Sequence, residues 1–325
     1  MTTSQDTLTP SVEAPARTPG QRGVAVLVPC HNEAATIGQV IADFRKYLPE
    51  AVIYVYDNRS TDETAEIARA SGANVRAEPL LGKGNVVRRM FADVDADVYV
   101  MVDGDGTYDA AAAPQLVDQM LRHDLDMVNC ARLPVDDAVY RPGHQLGNRL
   151  LTGLVSRVFG SRLSDMLSGY RALSRRFVKS FPALSTGFEI ETEITVHALE
   201  LRLPIAEISA RYFMRRQGST SKLNTIGDGV RILRVIVHLV KEERPLQFFS
   251  AIFVVLVLIS LALGIPVILK FLETGLVNRL PTAVLATGLM ILAFINLFCG
   301  LVLDTVTRGR RELKRLLYLA AARLP

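Results

Sequence analysis

Two stretches of the sequence, residues 246–269 and 280–303, each run for 24 residues without one charged side chain. A helix of that length crosses about 30 Å of hydrocarbon, whereas a core helix of a soluble domain rarely stays uncharged for so long. The stretches, joined by a linker holding Lys270, Glu273 and Arg279, are predicted to form a C-terminal transmembrane hairpin. A composition 49% apolar and 22% charged, with mean hydropathy +0.24, points the same way. Residues 246–325 carry eight Lys/Arg against three Asp/Glu, which leaves 29 against 30 for residues 1–245. The basic excess therefore belongs to the membrane end, and no nucleic-acid partner is expected of the main domain. The tail, residues 304–325, holds Arg308, Arg310, Arg311, Lys314, Arg315 and Arg323. Positive-inside counting places that tail, the main domain and both termini in the cytoplasm.

Residues 1–21 are rich in Thr, Ser, Pro and Ala without apolar period and read as a disordered arm. No apolar stretch opens the chain, so no secretory signal peptide is expected. Cys30, Cys130 and Cys299 have neither disulfide-scaffold density nor metal-ligand spacing. From Gly23 short β-branched runs alternate with amphipathic stretches. Strands are predicted over 24–28, 52–56, 74–77, 98–102 and 126–130, and helices over 35–47, 62–71, 84–91 and 112–123. That alternation means an α/β domain, residues 22–225, with a mostly parallel sheet and helices on both faces. Ligands of such sheets bind at the carboxyl ends of the strands. Before the hairpin, residues 226–245 place Arg231, Arg234, His238 and Lys241 at helical spacing opposite Ile232, Ile236 and Leu239, which predicts a helix lying on membrane lipid.

The chemistry concentrates in Val98-Tyr-Val-Met-Val-Asp103-Gly-Asp105-Gly-Thr107-Tyr-Asp109, where a buried strand runs into two carboxylates one residue apart. Two hard oxygen ligands at a sheet rim suit Mg²⁺ or Mn²⁺ with positions left open for phosphate oxygens. A calcium loop is excluded, because Tyr108 and Pro114 stand where Gly and Glu are required. A resemblance to haloacid-dehalogenase-like phosphatases, with Asp103 as nucleophile and Asp105 as acid/base, is weak. That motif ends the first strand in those enzymes and the fourth here, and Gly227-Asp228-Gly229 lacks their later second carboxylate. The first strand ends in Pro29-Cys-His31-Asn32-Glu33 and the second in Asp57-Asn-Arg-Ser60-Thr61-Asp62. Asp57 could accept hydrogen bonds from a base or ribose, and Ser60/Thr61 alone would be a helix cap. Gly82-Lys83-Gly84 opens a helix and suits an anion.

Together these loops resemble family 2 glycosyltransferases of the GT-A, Rossmann-like fold. The resemblance implies nucleoside contacts from Pro29, His31, Glu33 and Asp57, a donor-side role for Lys83, and metal and sugar-phosphate contacts from Asp103 and Asp105. Asp165-Met-Leu-Ser168-Gly169-Tyr170-Arg171 and Arg215-Arg216-Gln-Gly218-Ser219-Thr-Ser221-Lys222 are similar to segments of its polyprenyl-phosphate subgroup, which includes dolichyl-phosphate mannose synthases and GtrB-like enzymes. By that resemblance Arg132, Arg149, Arg215, Ser221 and Lys222 would surround the acceptor phosphate, with Arg149 acting in catalysis. Where the mannose synthases usually have Gln after the metal pair, this chain has Thr107. Glu189, Glu191 and Glu193 start the helix predicted at 190–201, where a first turn favours carboxylates, and no base is assigned to them. The implied activity is inverting transfer of one sugar from a UDP- or GDP-linked donor to a polyprenyl phosphate, with a divalent metal and a homo-oligomeric assembly. The alternatives are transfer to a sugar hydroxyl, and a membrane protein that binds nucleotide sugar without turnover. Processive hydroxyl-directed synthases resemble a pattern ending in Gln-x-x-Arg-Trp, and this chain has no Trp.

Overall fold

The computed structural model describes residues 23–135, 163–214 and 244–321, with the single positions 153 and 241. In chain order the elements are β1 (Val24–Cys30), α1 (Ile37–Tyr47), β2 (Val52–Asp57), α2 (Thr64–Ala70), β3 (Asn74–Ala77), α3 (Lys83–Asp93), β4 (Val98–Met101), α4 (Ala113–Arg122), β5 (Met127–Pro134), β6 (Arg171–Ser174), α5 (Arg175–Ser180), α6 (Ile190–Glu200), β7 (Ile205–Tyr212), α7 (Pro245–Thr274) and α8 (Leu280–Ala320). The seven strands form one sheet in the order β3-β2-β1-β4-β6-β5-β7. β1 pairs in parallel with β2 and β4, so the strand order reverses direction there and opens a ligand crevice at their carboxyl ends.

The predicted strands and helices of the first half stand where expected, within a few residues. Ile37, Val40, Ile41 and Phe44 recur at helical spacing on the buried side of α1, as do Ala113, Leu116, Val117 and Met120 on α4. Alternate strand residues divide between two cores. Ala25, Leu27, Tyr99 and Met101 pack under α3, α5 and α6, while Val26, Val28, Val98 and Val100 pack under α1 and α4.

The sheet is mostly parallel, as expected, and one strand not predicted from the sequence, β6, lies antiparallel between β4 and β5. Its four residues, Arg-Ala-Leu-Ser, are too short to show a period of two. The register has a functional consequence: continued beyond the last pair, Met101↔Arg171, it sets Gly169 opposite Asp103.

A second difference lies at the end of the chain. α8 is one helix of 41 residues, and its last turns are the segment expected as a separate basic tail. Glu200, whose side chain is buried at the end of α6, accepts hydrogen bonds from Arg311 Nε (3.1 Å) and Lys314 Nζ (2.7 Å). Tyr318 donates to Asp126 Oδ2 at 2.6 Å and lies under the Arg176 guanidinium. These basic residues thus bind the α/β domain itself. α7 and α8 run antiparallel, with Ser260 donating to the Ala286 carbonyl at 2.8 Å and Gly300 against Leu246 and Phe249. Both helices are long and apolar enough to cross a membrane, and only 6% of the most apolar stretch of α7 is buried within the protein.

Candidate active site

The site forms where the loops after β1, β2 and β4 meet the start of α3. Asn58 is its buried hub. Its amide N–H donates to the Cys30 carbonyl (2.8 Å), its side-chain amide donates to Glu78 (3.0 Å) and Leu80 (2.8 Å), and its Oδ1 accepts from Gly82 N–H (2.7 Å). Sequence reasoning passed over Asn58; its place directly after Asp57 at a strand end was the available signal. His31 Nδ1 donates to the Asn58 carbonyl at 2.7 Å. Ser60 and Thr61 do not cap α2. Ser60 Oγ accepts from Asn32 N–H (2.9 Å) and Thr61 N–H donates to Asn32 Oδ1 (2.7 Å), which stitches the first two loops together. Pro29 lies on β1 opposite Tyr56, and the Glu33 amide is tied to Thr64 Oγ1 at 2.8 Å. Asp57 Oδ2 accepts weakly from Ser60 N–H (3.3 Å), while Oδ1 is buried without a hydrogen-bond partner. A buried carboxylate oxygen of that kind is suited to a ligand donor.

Asp105 is nearly fully buried, and its Oδ1 accepts from both the amide (3.1 Å) and hydroxyl (2.6 Å) of Thr107. Thr107 therefore orients Asp105. Asp103, more open, is contacted by the Lys83 ammonium and walled by Gly169, where a Cβ would strike its carboxylate. Burial first, then the charges of Glu33, Asp57, Asp103 and Asp105, push the Cys30 thiol well above its ordinary range. Two aspartates at this rim fit a divalent cation that completes its shell with phosphate oxygens. Among the described residues no group of three His, Cys, Asp or Glu side chains forms a protein-only cage.

Lys83 departs from expectation. Gly82 (φ 127°) and Gly84 allow close approach of the backbone at Ser185 and Thr186, where any Cβ would collide. The Gly84 amide donates to the Thr186 carbonyl at 3.1 Å, so it is not a free anion cradle. Lys83 Nζ lies 2.5 Å from Glu191 Oε1 besides contacting Asp103. Burial opposes its charge, but Asp103 and Glu191 outweigh that and hold its pKa above the usual lysine range. The reading of Glu191 as a mere first-turn carboxylate is accordingly corrected. Glu191 is buried and points into the site; Glu193 instead accepts from the amides of Leu184 (2.9 Å) and Ser185 (2.8 Å) and fixes the loop beneath Gly82 and Gly84.

On the other flank Arg132 forks onto Asp165 through Nε (2.6 Å) and Nη2 (2.8 Å) and stacks over Tyr212. Its planar fork is thus engaged within the protein. Arg171, fully buried, donates to the Ser168 and Met166 carbonyls (2.9 and 2.5 Å) and to Thr195 Oγ1 (2.7 Å), stapling the loop that carries Gly169 to α6. Burial draws its pKa down to about 10 against the pull of Glu191 and Asp165. Arg149, Arg215, Ser221, Lys222 and nearly all of the basic stretch 226–245 lie outside the described residues. A cavity of about 330 Å³ opens beside Asp103, lined by Gln39, Asp43, Tyr47, Tyr108 and Phe213. Thr36, from the same loop as His31, also lines it, whereas His31, Asp57 and Lys83 themselves do not.

A crevice at the strand-order reversal, two aspartates just after β4 and a buried carboxylate oxygen ending β2 give the site and sheet a GT-A architecture. The chain belongs to glycosyl transferase family 2, whose model matches residues 25–181, and it is a glycosyltransferase. It is 31% identical over 300 residues to glycosyltransferase AglJ of Haloferax volcanii, covering 90% of this chain and 97% of that one. A dolichyl-phosphate hexose transferase of the same organism is 28% identical over 222 residues, covering 68% and 95%. Among solved structures, glucosyl-3-phosphoglycerate synthase from Mycobacterium tuberculosis, in complex with Mn²⁺, UDP-glucose and phosphoglyceric acid, superposes with a TM-score of 0.56. It is 25% identical, over 71% of this chain and 86% of that one.

Proposed function

We propose that this glycosyltransferase moves one sugar from a nucleoside diphosphate sugar to a polyprenyl phosphate at the cytoplasmic face of a membrane, with inversion. The observation that carries this reading is the pairing of a donor-type site with two apolar helices whose far end is bolted to the same domain. Hairpin ends and catalytic domain then share one side of the bilayer. The relative named as a dolichyl-phosphate hexose transferase supports the lipid phosphate.

Asp103 and Asp105 would hold Mg²⁺ or Mn²⁺, which when bound supplies positive charge against the departing diphosphate. Asp57 and the loop of His31 would hold the nucleoside. An acceptor phosphate oxygen forms a bond to the anomeric carbon as the bond from that carbon to the diphosphate oxygen breaks, and the nucleoside diphosphate leaves with the electron pair. The acceptor needs no base, because a phosphate monoester with a second pKa of about 6 is already anionic at neutral pH. It needs cations, for which Arg149, Arg215 and Lys222 are proposed. Arg132 joins them only by sharing its guanidinium with Asp165.

A second reading, transfer to a sugar hydroxyl, is favoured by Glu191, a buried carboxylate near Asp103 of the kind a hydroxyl acceptor requires. The test is incubation of the full chain with a panel of nucleotide sugars, undecaprenyl phosphate and Mn²⁺, read by mass spectrometry of the lipid. One added sugar, abolished by EDTA, is expected. Donor consumption without glycosylated lipid phosphate would overturn the acceptor.

A further inference from the structure

We infer that Glu191 is a positioning residue whose task is to let Lys83 release Asp103, so that the Lys83–Glu191 pair acts as a tethered counter-cation to the metal carboxylates. The inference rests on the metal reading above.

Asp103 is asked to serve two cations. In the structure its carboxylate is in contact with the Lys83 ammonium, yet the same carboxylate is the more open half of the Asp103/Asp105 pair. An ammonium and a divalent ion on one carboxylate repel each other, so each weakens the other's hold. A lysine buried as Lys83 is could not simply leave, because an uncompensated charge in that place is costly. Glu191 removes the obstacle. Its Oε1 is 2.5 Å from Lys83 Nζ, its side chain is only 7% exposed, and its Oε2 is buried with no hydrogen-bond partner. It therefore offers Lys83 a second anionic acceptor with an oxygen to spare. The geometry around it is stiff: the Glu191 carbonyl accepts from Thr195 Oγ1 (3.0 Å), whose oxygen also accepts from the buried Arg171. Lys83 is in turn fixed at the first residue of α3 by the two glycines packed on Ser185 and Thr186. With a cation on Asp103 the ammonium remains with Glu191, close to where the diphosphate must lie.

This arrangement gives opposite signs to two variants. Glu191→Gln leaves Lys83 with Asp103 as its single anionic partner among the described residues, tightening that contact at the expense of the metal. Lys83→Met combined with Glu191→Gln removes both charges of the pair at nearly constant volume and leaves Asp103 uncontested. The experiment is a Mn²⁺ titration of the detergent-solubilised full chain by electron paramagnetic resonance, with and without inorganic pyrophosphate. Glu191→Gln is expected to raise the Mn²⁺ dissociation constant at least ~5-fold, in the range of ordinary site-to-site couplings. The double variant is expected to return it to the wild-type value or below, while turnover stays low in both. An unchanged or tighter Mn²⁺ affinity in Glu191→Gln would overturn the inference. So would a double variant as weak as Glu191→Gln, which would make Glu191 a ligand or a purely structural group. Failure of the wild type to bind Mn²⁺ under either condition would remove the metal reading with it, and would leave the lipid-phosphate acceptor standing.

Discussion

Replacing Gly169 by alanine sets one methyl group against the carboxylate on which the site is built. Gly169 is not among the residues with positive φ, so the backbone accepts alanine without strain. Loss of glycine entropy from the unfolded chain should even stabilise by about 0.4–1 kcal/mol. The cost falls on Asp103, whose Cγ would lie 2.9 Å from the new Cβ and whose Oδ2 would lie closer still. Carbon atoms rest at about 3.5–4.0 Å, so the carboxylate must retreat by roughly 0.6–1 Å. A misplacement on the order of 1 Å at a reacting centre costs up to about 10²-fold. We expect kcat/KM to fall about 10- to 10²-fold, equivalent to roughly 1.4–2.7 kcal/mol of transition-state stabilisation. The melting temperature should stay within a few degrees of wild type. The assay is nucleoside diphosphate release by the solubilised full chain, alongside a thermal melt. Activity within about threefold of wild type would refute the placement of Gly169 against a functional Asp103. A loss of activity accompanied by a large fall in melting temperature would show that the loop, not the carboxylate, had yielded.

His197, buried between the rings of Phe177 and Phe181, is held down to a pKa of about 3 by burial and then by Lys314. Below about pH 6.5 the unfolded chain takes a proton there that the native chain refuses, so stability is lost as pH falls. About 2 kcal/mol should be gone by pH 5, and a His197→Gln chain should show a flatter pH dependence of melting; equal slopes would count against it. Tyr318→Phe removes a hydrogen bond to the buried Asp126 and should cost about 1.5–3 kcal/mol. An unchanged melting temperature would mean that the end of α8 does not hold the domain. In a Cys299→Ser background, where Cys30 and Cys130 are buried, a cysteine at Thr274 should react with an impermeant maleimide in intact cells and one at Arg308 should not. The reverse pattern would invert the topology.

Local chemistry was legible without coordinates. The uncharged stretches, the strand–helix alternation and the carboxylates of Asp103, Asp105 and Asp57 at strand ends all depend on neighbours a few residues away. The resemblance of the loops to a glycosyltransferase family rests on the same short-range spacings. β6 was hidden because four residues carry no usable period, and with it the identity of the strand that runs antiparallel. Glu191 was misread for a related reason: a glutamate in a first turn is ordinary for helix electrostatics, and only the packing of α6 against α3 turns it toward Lys83. The basic residues of α8 counted only as a cytoplasmic tail because a sequence shows charge but not what faces it. Arg311 and Lys314 meet Glu200 more than a hundred residues away. What the sequence determined by itself was therefore the set of elements and the chemistry each could carry. Which of those groups share a site was decided by tertiary structure alone, through contacts that join distant residues by strand register and helix packing: Gly169 to Asp103, Glu191 to Lys83, Glu200 to Lys314.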